Sequence, residues 1–177
     1  MAQFSLVTYW HLDASIERVW EALAAVEDWP RWWRYVQAVV QLENGDEKGV
    51  GALRRYTWSS KLPYRLTFEM RTTALERPSL IEGMAVGDLN GIGRWQLRET
   101  GRSCCVRYEW TVATGKTWMN ILGPLLAPLF RWNHNQVMFE GGRGLAHHLG
   151  VPLLASEAPS ARLRGLADKD LDHREGK

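Results

Sequence analysis

Two features are scarce in this chain, and a third is missing. Only two of its 177 residues are cysteine, Cys104 and Cys105, adjacent in sequence. Neighbours on a strand point to opposite faces, so a bridge between them would be strained. Two adjacent thiols supply neither a disulfide framework nor zinc-ligand spacing. Charge of one sign is scarce too: the formal net charge is +2, and basic residues are scattered among acids. A dedicated nucleic-acid domain usually carries a basic stripe, so nucleic acid is not an expected partner. A membrane-spanning run is missing. The most apolar stretch, Trp118 to Phe130, contains Asn120, Gly123, Pro124 and Pro128 and is too short to cross a bilayer. The first ten residues, MAQFSLVTYW, lack a basic start followed by an apolar run, so no signal peptide is expected there. With few thiols and no leader, a reducing, cytoplasmic location is expected.

What is abundant is tryptophan, with ten residues, in a chain that is 45% hydrophobic and 24% charged. Those values allow a sizeable single core. Tryptophan suits cores, pocket walls and interfaces equally, and its count does not separate them.

The periodicity of apolar residues changes twice along the chain. Phe4 to Leu12 reads as a strand rich in aromatic and branched residues. Asp13 and Ser15 offer capping oxygens, and Ile16, Val19, Trp20 and Leu23 follow at helical spacing. Trp29-Pro30 breaks that helix and opens a second short one carrying Trp32, Trp33 and Val36. From Gln37 the period becomes two. Strands are expected over 37–42, 50–59, 64–71, 79–86, 94–98 and 103–114, with Gly87 to Gly93 as a turn. After Gly115 the pattern turns helical again. Because proline is poorly tolerated deep in a helix, a long helix is expected from Pro124 or Pro128 to Leu149, stopped by Gly150. The domain is expected to occupy residues 1–152, with a charged, flexible tail over 153–177.

An antiparallel sheet with one apolar face needs a cover, and the last helix alone is long enough to cross it. A twisted sheet curling around that helix leaves room for a cavity. The chain resembles the helix-grip superfamily, which includes the birch-pollen allergen, the START lipid-transfer domains and the polyketide cyclase/dehydrase group. The resemblance rests on Leu12-Asp13-Ala14-Ser15-Ile16-Glu17-Arg18-Val19-Trp20, Trp29-Pro30-Arg31-Trp32, Gly91, Trp95, Leu97, the alternating Val106-Arg107-Tyr108-Glu109-Trp110 and the closing helix. It covers roughly residues 4 to 150 and implies an α+β helix-grip fold. In that fold a curved antiparallel sheet wraps a long C-terminal helix, with two short helices after the first strand. It also implies an apolar small-molecule ligand. The superfamily spans carriers, sensors and enzymes, so the fold alone does not name a chemistry.

On this reading, Tyr64, Phe68, Trp95, Tyr108 and Trp110 from the sheet and Phe130, His134 and Met138 from the helix are candidate ligand contacts. The same apolar positions would also serve as filled core. Arg54 shares a strand face with Tyr56 and Trp58. Facing inward it could hold a ligand carboxylate or phosphate; the opposite phase would place Leu53, Arg55 and Thr57 inside. Glu82 is in phase with Leu80, Met84 and Val86. Buried, it would be a general acid or base of raised pKa, and a pair with Arg54 is conceivable; in the other phase it is solvated. His134, on an apolar helix face, could move protons or be hydrogen-bonded core. Ser103 and Cys105 lack a recognisable nucleophile context. His147 and His148, even with His134, make no metal spacing, so neither a metal nor a cofactor is expected. Gly141, Gly142 and Gly144 suggest close approach of the helix to the sheet, or room for a ligand. Trp118 to Leu122 with Leu125, Leu126 and Leu129 suits a pocket lid, a transient membrane contact, plain packing or a dimer contact. The sequence leaves the oligomeric state open.

Three functions fit: binding or transfer of a lipid, quinone or polyketide-like molecule; a polyketide cyclase/dehydratase using the same pocket; or a protein-interaction module with a filled interior.

Overall fold

The computed structural model describes residues 3–114 and 117–158, with the backbone alone for residues 3, 114 and 117–126. Strand β1 (Gln3–Leu12) leads into helix α1 (Ile16–Ala24), a 3-10 turn (Val26–Asp28) and the one-turn helix α2 (Trp29–Trp32). Six strands follow: β2 (Val36–Glu43), β3 (Leu53–Trp58), β4 (Leu66–Glu76), β5 (Leu80–Gly87), β6 (Leu89–Thr100) and β7 (Ser103–Thr114). Helix α3 (Thr117–Leu149) and a short strand β8 (Leu153–Glu157) complete the described chain. The strands form one antiparallel sheet in the order β2-β3-β4-β5-β6-β7-β1-β8. The first strand therefore returns to the middle of the late strands, and the sheet closes around α3. This is the helix-grip arrangement.

Alternation explains the sheet. On β1, Phe4, Thr8, Trp10 and Leu12 are buried, and on β7 so are Cys104, Val106, Trp110 and Val112. Cys104 is wholly buried whereas Cys105 is half-buried, and both are free thiols. Four expectations need correction. Gly87 to Gly93 is not a turn: the chain reverses at Asp88, and Gly91 and Gly93 lie within β6. A Cβ on Gly91, whose φ is +156°, would collide with the Thr111 carbonyl oxygen, so glycine here permits close strand pairing. Second, α3 starts at Thr117, so Pro124 and Pro128 lie inside it. Each proline forfeits one ladder bond, and a helix of 33 residues keeps the rest. Third, ordered structure passes residue 152: Leu153, Ala155, Ser156 and Glu157 pair with β1. Gly150, with φ +67°, makes the reversal that brings β8 back. The expected tail from 159 to 177 lies outside the described residues. Fourth, the glycines of α3 approach α2 more than the sheet.

That approach anchors the helix. Trp33 is 1% exposed, and its indole N–H donates to the Val137 carbonyl at 2.9 Å. A Cβ on Gly141 would overlap the Trp33 ring at Cε2, and one on Gly144 would overlap the Trp32 carbonyl oxygen. Gly142 makes the same room for Trp10 on β1. Around Trp33 the rings of Trp10, Trp29, Trp32 and Trp58 lie 4.9–5.5 Å away, in edge-on, tilted and stacked arrangements.

Alanine is a better helix former than glycine by about 1 kcal/mol. Gly141→Ala is nevertheless expected to destabilise the protein by about 1–3 kcal/mol, because the Trp33 ring it would strike is held by its bond to Val137 and by the surrounding indoles. Urea unfolding followed by tryptophan fluorescence measures this; a stabilised variant would contradict the packing described.

Candidate functional site

The sheet curls away from α3 at the end opposite the glycines, and the gap is a chamber of about 140 Å³. Its walls come from β1 (Phe4, Leu6), α2 (Trp29), β3 (Trp58), β4 (Leu66, Phe68), β6 (Trp95), β7 (Tyr108, Trp110, Val112) and α3 (Phe130, Val137, Met138). The β3–β4 loop crosses its rim. Within that loop Tyr64 sets its ring edge-on to Phe130 at 6.5 Å, and its hydroxyl is hydrogen-bonded by Asn133. Lys61 donates to the Gln136 side chain at 2.9 Å and stands over the Trp132 ring. The loop is thus tied to α3 along the chamber edge. A second chamber of about 100 Å³ adjoins the first and shares with it Trp29, Trp58, Phe68, Trp95 and Tyr108.

Of the residues singled out from sequence, Tyr64, Phe68, Trp95, Tyr108, Trp110, Phe130, His134 and Met138 line the first chamber. Arg54 and Glu82 line the second. The phase of β3 puts Tyr56 in the core and Arg55 outside, so Arg54 is on the inner face. Arg54 does not meet Glu82. Its Nε lies 2.5 Å from Glu27 Oε1, on the 3-10 turn. The conjectured Arg54–Glu82 pair is therefore replaced by Arg54–Glu27. Burial raises the pKa of the Tyr56 hydroxyl beside this pair, with Arg54 opposing the rise. Burial also raises that of Tyr108, and both stay protonated at neutral pH.

Glu82 borders the second chamber half-buried, but on the outer face of β5 and held in an ion pair. Its strand partners in phase, Met84 and Val86, are exposed, whereas Ala85 is fully buried. Its carboxylate accepts from Arg94 Nε at 2.7 Å and from Thr73 Oγ1 at 2.9 Å. These bonds hold its pKa below the usual carboxylate value, the opposite of a poised general acid. Cys104 is pushed up to about 12 by burial, so its thiol is not a ready nucleophile. Ser103 Oγ is hydrogen-bonded to His11 Nε2 at 2.8 Å and to the Thr100 carbonyl at 2.9 Å, and it does not line either chamber. Among the described residues no group of three His, Cys, Asp or Glu could hold a metal ion.

His134 does face the chamber, and burial pushes its pKa down to about 4. Asn133, which the sequence presents only as its neighbour, is the more enclosed of the two at 6% exposure. Trp29, a helix break by sequence, is a wall of both chambers. Its signal is the neighbouring Pro30, which fixes the turn that aims it inward. Of the apolar segment 118–129, side chains are described only from Ala127, and Leu129 is exposed. Among the described residues no helix is long and apolar enough to cross a membrane.

The family described as polyketide cyclase/dehydrase and lipid transport matches residues 3–148. The chain belongs to this family. Among curated proteins none matches. Solved structures of the same fold include TTHA0849 from Thermus thermophilus, with a TM-score of 0.67 and 13% identity over 82% of this chain and 99% of that one. The Zhui aromatase/cyclase from Streptomyces sp. R1128 gives a TM-score of 0.65 and 13% identity over 84% and 94%. A START superfamily protein from Mycobacterium smegmatis gives 0.67 and 12% over 84% and 97%. At these identities the likeness is one of fold, and within the family this chain's chemistry must be read from its own chamber.

Two outcomes follow from the electrostatics. His134 binds its proton near pH 6.5 when unfolded and near 4 when folded, so the unfolded state holds more protons between those values. Its contribution is complete above about pH 6.5 and is lost as pH falls toward 4. Wild type should therefore lose more stability than His134→Phe over that window in denaturant titrations; parallel losses would refute the assignment. Glu82→Gln removes a partly exposed ion pair and should change stability by less than about 1 kcal/mol in denaturant titrations.

Proposed function

We propose that this family member binds and carries an apolar small molecule in the chamber between the sheet and α3. The observation that carries the reading is the chamber itself: a partly open cavity walled chiefly by aromatic and aliphatic side chains, between the sheet and α3. Burial of apolar surface contributes about 25 cal/mol per Å² before association costs. A carrier needs no reacting side chain, which agrees with the restrained pKa values and bonded groups around Glu82, Cys104 and Ser103. Tyr64, Phe68, Trp95, Tyr108, Trp110, Phe130 and Met138 provide the apolar contact, and His134 is a polar contact. Arg54, with Tyr56 and Tyr108 beside the shared wall, is the candidate anchor for a polar group reaching the second chamber.

One observation favours a second reading. Arg54 and the two protonated tyrosines stand together in the second chamber, where they could polarise a carbonyl of a folded poly-ketone. A cyclase or dehydratase would then use proximity in the same cavity. The interaction-module reading called for a filled interior, and the two chambers speak against it.

Native mass spectrometry of freshly purified protein, with solvent extraction of whatever is released, tests the first reading. A co-purifying apolar molecule, or saturable uptake of an apolar probe with quenching of tryptophan fluorescence, is expected. Val137→Phe fills the first chamber and should weaken uptake at least about tenfold with the fold retained by circular dichroism. Undiminished uptake in that variant would place the ligand elsewhere. If Arg54→Ala abolishes a demonstrated turnover and leaves binding nearly intact, the enzyme reading takes precedence.

A further inference from the structure

Exposed apolar side chains on the outer face of the sheet sit among charges of both signs. Val86 is paired directly across from Glu69 and Met84 from Arg71, and Leu42 adjoins Glu43. A group on α3 differs. Leu129, Trp132 and Phe139 are 39%, 45% and 43% exposed. They fall at i, i+3 and i+10, on one side of a helix whose other side buries Phe130, Asn133, Met138 and Leu145. Cations frame them. Lys61, from the β3–β4 loop, stands over the Trp132 ring at 5.7 Å, and Arg143 stands over the Phe139 ring at 5.8 Å. Arg131, beside Trp132, is exposed as well.

Acids are absent from the segments that carry this face. No Asp or Glu occurs in the sequence between Glu109 and Glu140, nor from Ser59 to Phe68. The whole chain is nearly balanced at +2, so the imbalance is local. At its borders, Glu140 is paired with Arg143 at 3.4 Å, and Asp88, at the β5–β6 reversal, accepts from the Thr67 N–H at 2.9 Å. The same two segments meet across the chamber rim, where Lys61 is bonded to Gln136 and Tyr64 packs on Phe130. Apolar side chains framed by cations match a lipid surface of negative charge: rings enter the interface while cations meet headgroup phosphates. An acidic protein would satisfy the charge alone. Position favours the bilayer, because an apolar molecule leaving a chamber whose rim touches lipid enters hydrocarbon without crossing water. A second copy is disfavoured, since a twofold contact sets this face against itself and brings like charges together.

We propose that the face formed by Leu129, Trp132 and Phe139 of α3, with Lys61, Arg131 and Arg143, docks on a bilayer rich in anionic lipid and turns the chamber rim toward it. The docking surface stands by itself; its use as the exchange point for an apolar molecule rests on the carrier reading above.

Flotation of the full chain with two kinds of vesicle tests this: phosphatidylcholine alone, and phosphatidylcholine with phosphatidylglycerol in equal parts. Wild type should bind the mixed vesicles at least about tenfold more tightly than the neutral ones, and sodium chloride should weaken that binding. Trp132→Ser combined with Phe139→Ser should weaken it at least about tenfold, while circular dichroism and uptake of an apolar probe hold. Arg131→Glu should weaken binding to the mixed vesicles at least about threefold and leave the neutral ones unaffected. The proposal is overturned if wild type binds the mixed vesicles no better than the neutral ones, or if both variants bind as wild type does. It is also overturned if the protein is a dimer that the double variant dissociates, which assigns the face to a second copy. Probe uptake without vesicle binding removes this surface, gives the face to an acidic protein and leaves the carrier reading standing. Vesicle binding without probe uptake supports the surface and removes the carrier reading. Should the double variant not fold, Arg131→Glu and the salt dependence decide.

Discussion

One indole controls the geometry of this protein. Trp33 donates its N–H to a carbonyl in the middle of α3 and lays its ring where residue 141 has no side chain. A helix carbonyl already accepts one ladder bond, and its second lone pair is reachable only if the next turn carries nothing bulky. Gly141 meets that condition, and Gly142 and Gly144 extend it toward Trp10 and Trp32. The glycines weaken the helix locally and are offset by the aromatic cluster that fills the space they leave. Consequently α3 is held tightly against α2 and β1 at its C-terminal half. Toward its N-terminal half, at Phe130, Asn133 and His134, it stands off the sheet and borders a cavity.

The same constraint explains how the tryptophans divide their labour. Trp10 and Trp32 serve packing at the closed end. Trp110 presents its ring to the chamber, while Trp29, Trp33, Trp58 and Trp95 do both. Tyr108 stacks on Trp95 at 4.0 Å and carries the only hydroxyl among the described residues that the two chambers share. The interior is therefore a graded surface, closed and apolar near Trp33, apolar with neutral polar atoms along α3, and charged where Arg54 and Glu27 pair.

The outer face of the sheet follows other rules. Arg55–Glu69 and Arg94–Glu82 cross between neighbouring strands, and Arg71–Glu43 reaches from β4 past β3 to the end of β2. Each is worth little by itself, but together they mark which face is wet. Glu82 belongs to this set, and its depressed pKa has the same cause as that of any surface carboxylate holding an arginine.

Much of this was legible in the chain. Periodicity alone placed the strand-helix start, the six-strand run and the long closing helix, because burial on one face imposes a period of two or 3.6 whatever the partner. It also selected part of the chamber wall, since Tyr64, Phe68, Tyr108 and Trp110 alternate with charged or polar residues. The motifs around Leu12–Trp20 and Trp29–Trp32 pointed to the helix-grip family. Tertiary structure decided the remainder. Period two does not say which phase faces inward when both contain apolar residues, so Arg54 and Glu82 received their faces, and their separate partners Glu27 and Arg94, only from strand register. Local rules also could not show β8, whose five residues form a strand because β1 leaves an edge to pair. Nor could they show that Asn133 is enclosed, for that depends on a loop some seventy residues earlier folding across to meet it. Sequence sets what each segment prefers; only the packing of α3 on Trp33 determines where the segments fail to touch, and the chamber is that failure.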